Sequence, residues 1–132
     1  MGAWGIGPFE NDDAADWVYE VIETTNANVF AASLRNTSSK GYVEASEACC
    51  ALAAAEIVAA LLGRPSEDLP DEVREWVKSG PLQADEALVS LATAAASRVA
   101  NDSELKELWD ETDESEAWQT SVNDLIDRLK PT

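Results

Sequence analysis

Glu56 stands in a place where a carboxylate needs a reason. Residues 48–63 read ACCALAAAEIVAALLG, and Glu56 is the one acidic or basic side chain in that run. A charge in such apolar surroundings has to be paired, hydrogen-bonded or protonated, because an isolated buried ion is expensive. Arg98 has the same character in a second Ala-rich stretch, as the sole charge between Glu86 and Asp102. The pattern predicts that Glu56 and Arg98 meet, or that each holds backbone near the N-terminal segment. A buried structural pair carries more weight than a catalytic one, since structural networks perturb ionisation as readily as active sites do.

Carboxylates are also the candidate metal ligands. Glu10, Asp12, Asp13 and Asp16 crowd one short stretch and offer the oxygen donors a hard cation prefers, but their spacing is not that of an EF-hand loop. Glu44 and Glu47 lie one helical turn apart, as do Glu72 and Glu75. Such paired turns on facing helices resemble the magnesium-binding signature of the all-α nucleotide pyrophosphatases. That resemblance implies the alternative function, a metal-dependent hydrolase using a carboxylate cluster. With 26 acidic residues in 132, however, acidic pairs at this spacing arise readily by chance and usually line a solvated face.

Other chemistry is poorly provided for. The chain has no histidine, which removes the usual general base near neutral pH and the commonest zinc ligand together. No Ser or Cys stands in a strand-turn-helix elbow, so no catalytic residue is assigned and no cofactor is expected. Cys49 and Cys50 sit inside the apolar run, a placement that suits small buried hydrophobes in a reducing, cytoplasmic compartment. Trp17, Trp76, Trp109 and Trp118 fall at helical core spacing and read as anchors, whereas Trp4 lies in an irregular segment beside Gly5 and Gly7.

The charge balance narrows the partners. Nine basic residues against 26 acidic ones give a net charge of −17. Phosphate backbones and anionic membranes are repelled by such a surface, so neither nucleic acid nor membrane is an expected partner. What the field attracts is a cation or a basic protein. The leading expectation is therefore a noncatalytic protein-interaction module, of inhibitor or immunity type, that neutralises a cationic surface. The N-terminus has no basic and apolar regions of the secretory kind, and residues 48–63 are too short to span a bilayer.

The elements that must position these residues read as helices. Apolar positions recur at helical spacing from Asp12 onward, with Asn11 or Asp12 as the cap. A short helix around Val29, Phe30 and Leu34 leads into RNTSSKG, a loop by composition. A buried helix over about 43–62 stops at Gly63 and Pro65. Further helices are expected after Pro70, over about 83–100, after a cap at Asp102 or Ser103, and after a capping box formed by Asp113 and Glu116. No stretch alternates as a strand would. The expectation is all-α: one domain over residues 1–132, a multi-helix bundle or orthogonal array with an irregular segment, 1–11, packed on it.

The opening string Met1-Gly2-Ala3-Trp4-Gly5, followed by Gly7, Phe9, Asn11-Asp12-Asp13-Ala14 and Asp16-Trp17, resembles an uncharacterised bacterial family, domain-of-unknown-function family 4259. ALAAAEIVAALLG, the LP before Trp76, Arg98-Val99, SELKELW, Trp118 and LIDRL agree with it, so the resemblance spans nearly the whole chain. It implies a small bacterial protein and no established activity. It also makes Trp4, Gly5, Gly7, Phe9, Asn11, Asp12, Asp16, Trp17 and Glu56 one motif set, which can serve folding alone by laying aromatics on the bundle and capping its first helix.

Overall fold

The computed structural model describes residues 41–66, 69, 71–78 and 85–130, together with Asp16, Ala32, Leu34, Arg35 and Thr37. Five complete helices occur among them: α1 (Ala45–Leu61), α2 (Asp71–Lys78), α3 (Glu86–Asn101), α4 (Glu104–Asp110) and α5 (Ser115–Leu129). No strand occurs among the described residues, in agreement with the all-α reading. The expected first helix and the N-terminal motif lie outside the described residues, apart from Asp16, which is helical and exposed. Leu34 is helical and buried as expected, but Arg35 and Thr37, two positions that composition assigned to a loop, are helical as well. Thr37 is itself buried, so packing outweighs its weak helix propensity.

α1 is the axis of the fold. Every residue from Ala51 to Ala60 is buried, Glu56 included. A helix apolar on all faces has no solvent side, and α1 packs against each of the other four. Its closest dealings are with α3, also rich in alanine, because small side chains let two helix axes approach closely. The ends of α1 are fixed by backbone geometry and by distant side chains. At its C-terminus Gly63 takes a φ of +87°, its N–H donates to the Ala60 carbonyl, and Arg64 N–H donates to Ala59, a six-to-one bond that satisfies otherwise orphaned carbonyls. At its N-terminus Glu44 occupies the cap position without a side-chain bond, and the Ala45 N–H is taken instead by Glu104 Oε1 at 2.7 Å.

Those contacts set the helix directions. The junction of α3 and α4 lies at the start of α1, where Glu104 N–H donates to the Val43 carbonyl and Arg98 Nη2 donates to the Gly41 carbonyl. α3 therefore runs opposite to α1. The end of α5 lies at the end of α1, so these two run in the same sense.

The remaining elements follow local rules. Asp85 caps α3 by accepting from Leu88 N–H, and Ser103 caps α4 by accepting from Lys106 N–H. The Ser103 hydroxyl also donates to the Val99 carbonyl, which ties the two helices at their corner. The capping box expected of Asp113 and Glu116 does not form: Glu114 takes the cap position of α5 and makes no side-chain cap bond. Ser115 Oγ instead donates to Asp110 Oδ1, so the turn is held to the end of α4 rather than within α5. In α2, Val73 and Trp76 face the core, while Arg74 donates to the Ser66 and Leu69 carbonyls and secures the connection from α1. Trp118, Val122, Leu125 and Leu129 form the buried stripe of α5.

Candidate functional site

Glu56 and Arg98 do not meet. Glu56 lies eleven residues into α1 from its first residue, about 16 Å along the axis at 1.5 Å per residue. Arg98 is near the end of antiparallel α3, and so beside the start of α1. Its guanidinium is used there, donating to the Gly41 and Asp102 carbonyls and pairing with Asp102 at 3.3 Å. Arg98 thus holds backbone, but at Gly41 and Asp102, whereas the N-terminal segment of the expectation lies outside the described residues; antiparallel packing explains why the ion pair expected of it does not form.

Arg128 supplies the missing cation. Its Nη1 donates to Glu56 Oε1 at 2.7 Å and its Nη2 to Glu56 Oε2 at 3.2 Å, a two-pronged pairing that matches the planar guanidinium to the carboxylate. Its Nε donates to Asp124 Oδ2 at 2.8 Å, one turn back along α5, and Nη1 also reaches the Arg64 carbonyl. Glu56 is 2% exposed. Burial works against the charge of Arg128, but the hydrogen bonds and fields of Glu56, and then of Asp124, outweigh it and hold the guanidinium above its ordinary pKa. Both oxygens of Glu56 are occupied by this pairing. The cluster is a brace between the ends of α1 and α5, and its geometry suits load rather than proton transfer.

Arg128 escaped the sequence reading because it lies at the edge of the apolar stripe of α5. Its signal was present: it sits between Leu125 and Leu129, both buried, one helical turn from Asp124. An arginine can lay its stem along such a flank and send its head inward.

The acidic pairs behave differently from one another. Glu44 is exposed at the cap position of α1 and Glu47 is in its first turn, while Glu72 and Glu75 are exposed on α2. Among the described residues no three His, Cys, Asp or Glu side chains converge on a point that could hold a metal ion. Trp4, Gly5, Gly7, Phe9, Asn11, Asp12 and Trp17 lie outside the described residues. Cys49 is buried and Cys50 half-buried, and neither is in a disulfide.

A second arrangement occupies the corner where the chain enters α1. Tyr42 is 52% exposed, and its hydroxyl donates to Glu107 Oε2 on α4 at 3.2 Å. Partial desolvation, the hydrogen bond to Glu107 and the charges of Glu104, Glu107 and Glu44 all push the phenol pKa up, so the hydroxyl stays protonated. Beyond this corner Asp110, Glu111, Asp113, Glu114 and Glu116 are exposed along the connection from α4 to α5.

No helix among the described residues is long and apolar enough to cross a membrane. The family model described as Domain of unknown function (DUF4259) matches residues 2–121, and the chain belongs to that family. No curated protein and no solved structure matches the chain.

Proposed function

From membership of that family as the premise, we propose that the protein is a noncatalytic interaction module whose partner is a basic protein, in the manner of an inhibitor or immunity protein that covers a cationic surface. The observation that carries this reading is where the cations go. Arg64, Arg74, Arg98 and Arg128 each donate to backbone carbonyls at helix ends or in the connections beside them, and Lys106 and Lys130 pair with Asp110 and Asp127 on their own helices or just beyond. Six of the nine basic residues are thus engaged with the fold's own carbonyls and carboxylates, while Arg35 and Lys78 are exposed, and the net charge of −17 dominates what a partner meets. Such a field accelerates encounter with a basic surface and discriminates against acidic ones. The two reduced cysteines, one of them buried, suit work in a reducing, cytoplasmic compartment.

The test is capture of partners by the tagged full chain from a lysate of its own cells at physiological salt, with elution by high salt. The captured protein is then purified and titrated against the chain by calorimetry at two ionic strengths. A basic protein that binds stoichiometrically, with affinity falling as salt rises, is the expected result. Failure of every basic candidate to bind the purified chain at low salt overturns the reading.

A further inference from the structure

Among the described residues, the large aromatic side chains divide sharply. Trp76, Trp109 and Trp118 are buried, whereas Tyr42 is more than half exposed. An exposed ring on a wandering loop would mean little, but the backbone on both sides of Tyr42 is tied down. The carbonyl of Gly41 is held by Arg98 Nη2 at 2.8 Å. Val43 is fully buried, and its carbonyl accepts from Glu104 N–H at 2.9 Å. The phenol itself is tethered to Glu107, 65 residues away in the chain. The ring is thus presented in a fixed pose, and a contact made to it loses little freedom on binding.

Its surroundings select the kind of group that would use it. Glu107 and Glu44 are exposed beside it, while Glu104 is occupied in part by the Ala45 N–H. Among the described residues, the cations of the same corner are committed elsewhere, Arg98 to Gly41 and Asp102 and Lys106 to Asp110. An aromatic face rimmed by carboxylates complements a flat cation that stacks and donates at once. Guanidinium does both, and ammonium, a compact and strongly hydrated charge, does so less well.

Resting on the reading of the protein as a module for a basic partner, we propose that Tyr42, with Glu107 and Glu44 beside it, is the docking point for an arginine side chain of that partner. The guanidinium stacks on the ring and donates to the carboxylates, and the surrounding acidic corner steers it there.

The test uses the full chain and a synthetic peptide of alternating arginine and glycine, with a lysine-glycine peptide for comparison, titrated by calorimetry at low ionic strength. Binding of the arginine peptide is expected to weaken about five- to tenfold in Tyr42→Ala and to survive largely in Tyr42→Phe, which keeps the ring. Glu107→Gln and Glu75→Gln change the net charge equally, since both residues are exposed acids, and Glu75 lies on α2. The proposal expects the first to weaken binding several-fold more than the second. Tighter binding of the arginine peptide than of the lysine one also supports it. Equal loss in Glu107→Gln and Glu75→Gln, with Tyr42→Ala unchanged, overturns the docking point while leaving the basic-partner reading standing. No binding of the arginine peptide overturns the docking point as well, and the lysate capture then judges the wider reading on its own. Thermal melts of each variant confirm that an altered affinity is not a lost fold.

Discussion

Arg64 and Arg128 hold each other's backbone: Arg64 Nη1 donates to the Arg128 carbonyl at 3.1 Å, and Arg128 Nη1 donates to the Arg64 carbonyl at 3.2 Å. Two like charges are thereby drawn together at the ends of α1 and α5. Glu56 is the buried counter-charge that makes the arrangement tolerable. Removing it leaves Arg128 half-buried without its principal partner, which is the costly way to break a buried pair.

Glu56→Ala is accordingly expected to lose about 3–5 kcal/mol of stability, a large share of what a domain of this size possesses. Replacing both partners by apolar residues, Glu56→Leu with Arg128→Met, should cost less than Glu56→Ala alone, because no charge is stranded. Urea denaturation of the three proteins checks this. A double variant no better than Glu56→Ala would show that the pair contributes through something other than mutual neutralisation.

Gly63→Ala is expected to cost about 1 kcal/mol or somewhat more, because Gly63 sits at a φ of +87° that L-residues resist. An added methyl there meets nothing within 4 Å, so the whole cost is backbone conformation. Gly41→Ala, equally uncrowded and without a positive φ, is the control and should change stability little. Equal melting temperatures for the two variants would refute the assignment.

Loss of a capping side chain should cost each helix about 1 kcal/mol, so Asp85→Ala and Ser103→Ala are expected to destabilise by amounts of that order. Ser103 should be the more sensitive, since its buried hydroxyl also donates to the Val99 carbonyl. Hydrogen exchange resolves where the loss falls: at the start of α3 in the first variant, at the α3–α4 corner in the second.

Acid should loosen the turn between α4 and α5. Hydrogen bonds from Lys106, and then from Ser115, hold the Asp110 carboxyl below the ordinary carboxylate range, against a smaller opposing effect of desolvation. A group whose pKa is lower folded than unfolded adds stability that is present above the unfolded value, near 3.9, and is lost as pH falls through the folded one. An NMR titration should place the Asp110 midpoint below that value. Asp110→Asn should abolish the extra acid sensitivity of the neighbouring amides, and a midpoint at or above the ordinary range would contradict the geometry.

What the sequence revealed and what it concealed divide along a physical line. The extent of α1, its stop at Gly63, the Ser103 cap and the buried faces of α2 and α5 all depend on neighbours within a turn or two, and each is written in local spacing. That Glu56 must be buried and satisfied was equally legible, because it stands in a wholly apolar run. Its partner was not, since Arg98 and Arg128 are each the lone cation of their helix and only the directions of α3 and α5 relative to α1 decide between them. The cap of α1 was hidden for the same reason: Glu104 reaches Ala45 across 59 residues. The Asp113 and Glu116 box failed on a local motif that a competing tertiary tie, Ser115 to Asp110, displaced.

The distance in sequence between Glu56 and Arg128 carries one more consequence, for the chain as it is made. The two residues are 72 positions apart. At about 5–20 residues per second, roughly 4–14 s pass on the ribosome between the synthesis of the acid and that of its base. Throughout that interval the acid buried in the most apolar described helix exists without the cation that neutralises it. The brace between α1 and α5 can therefore close only after α2, α3 and α4 have all been synthesised.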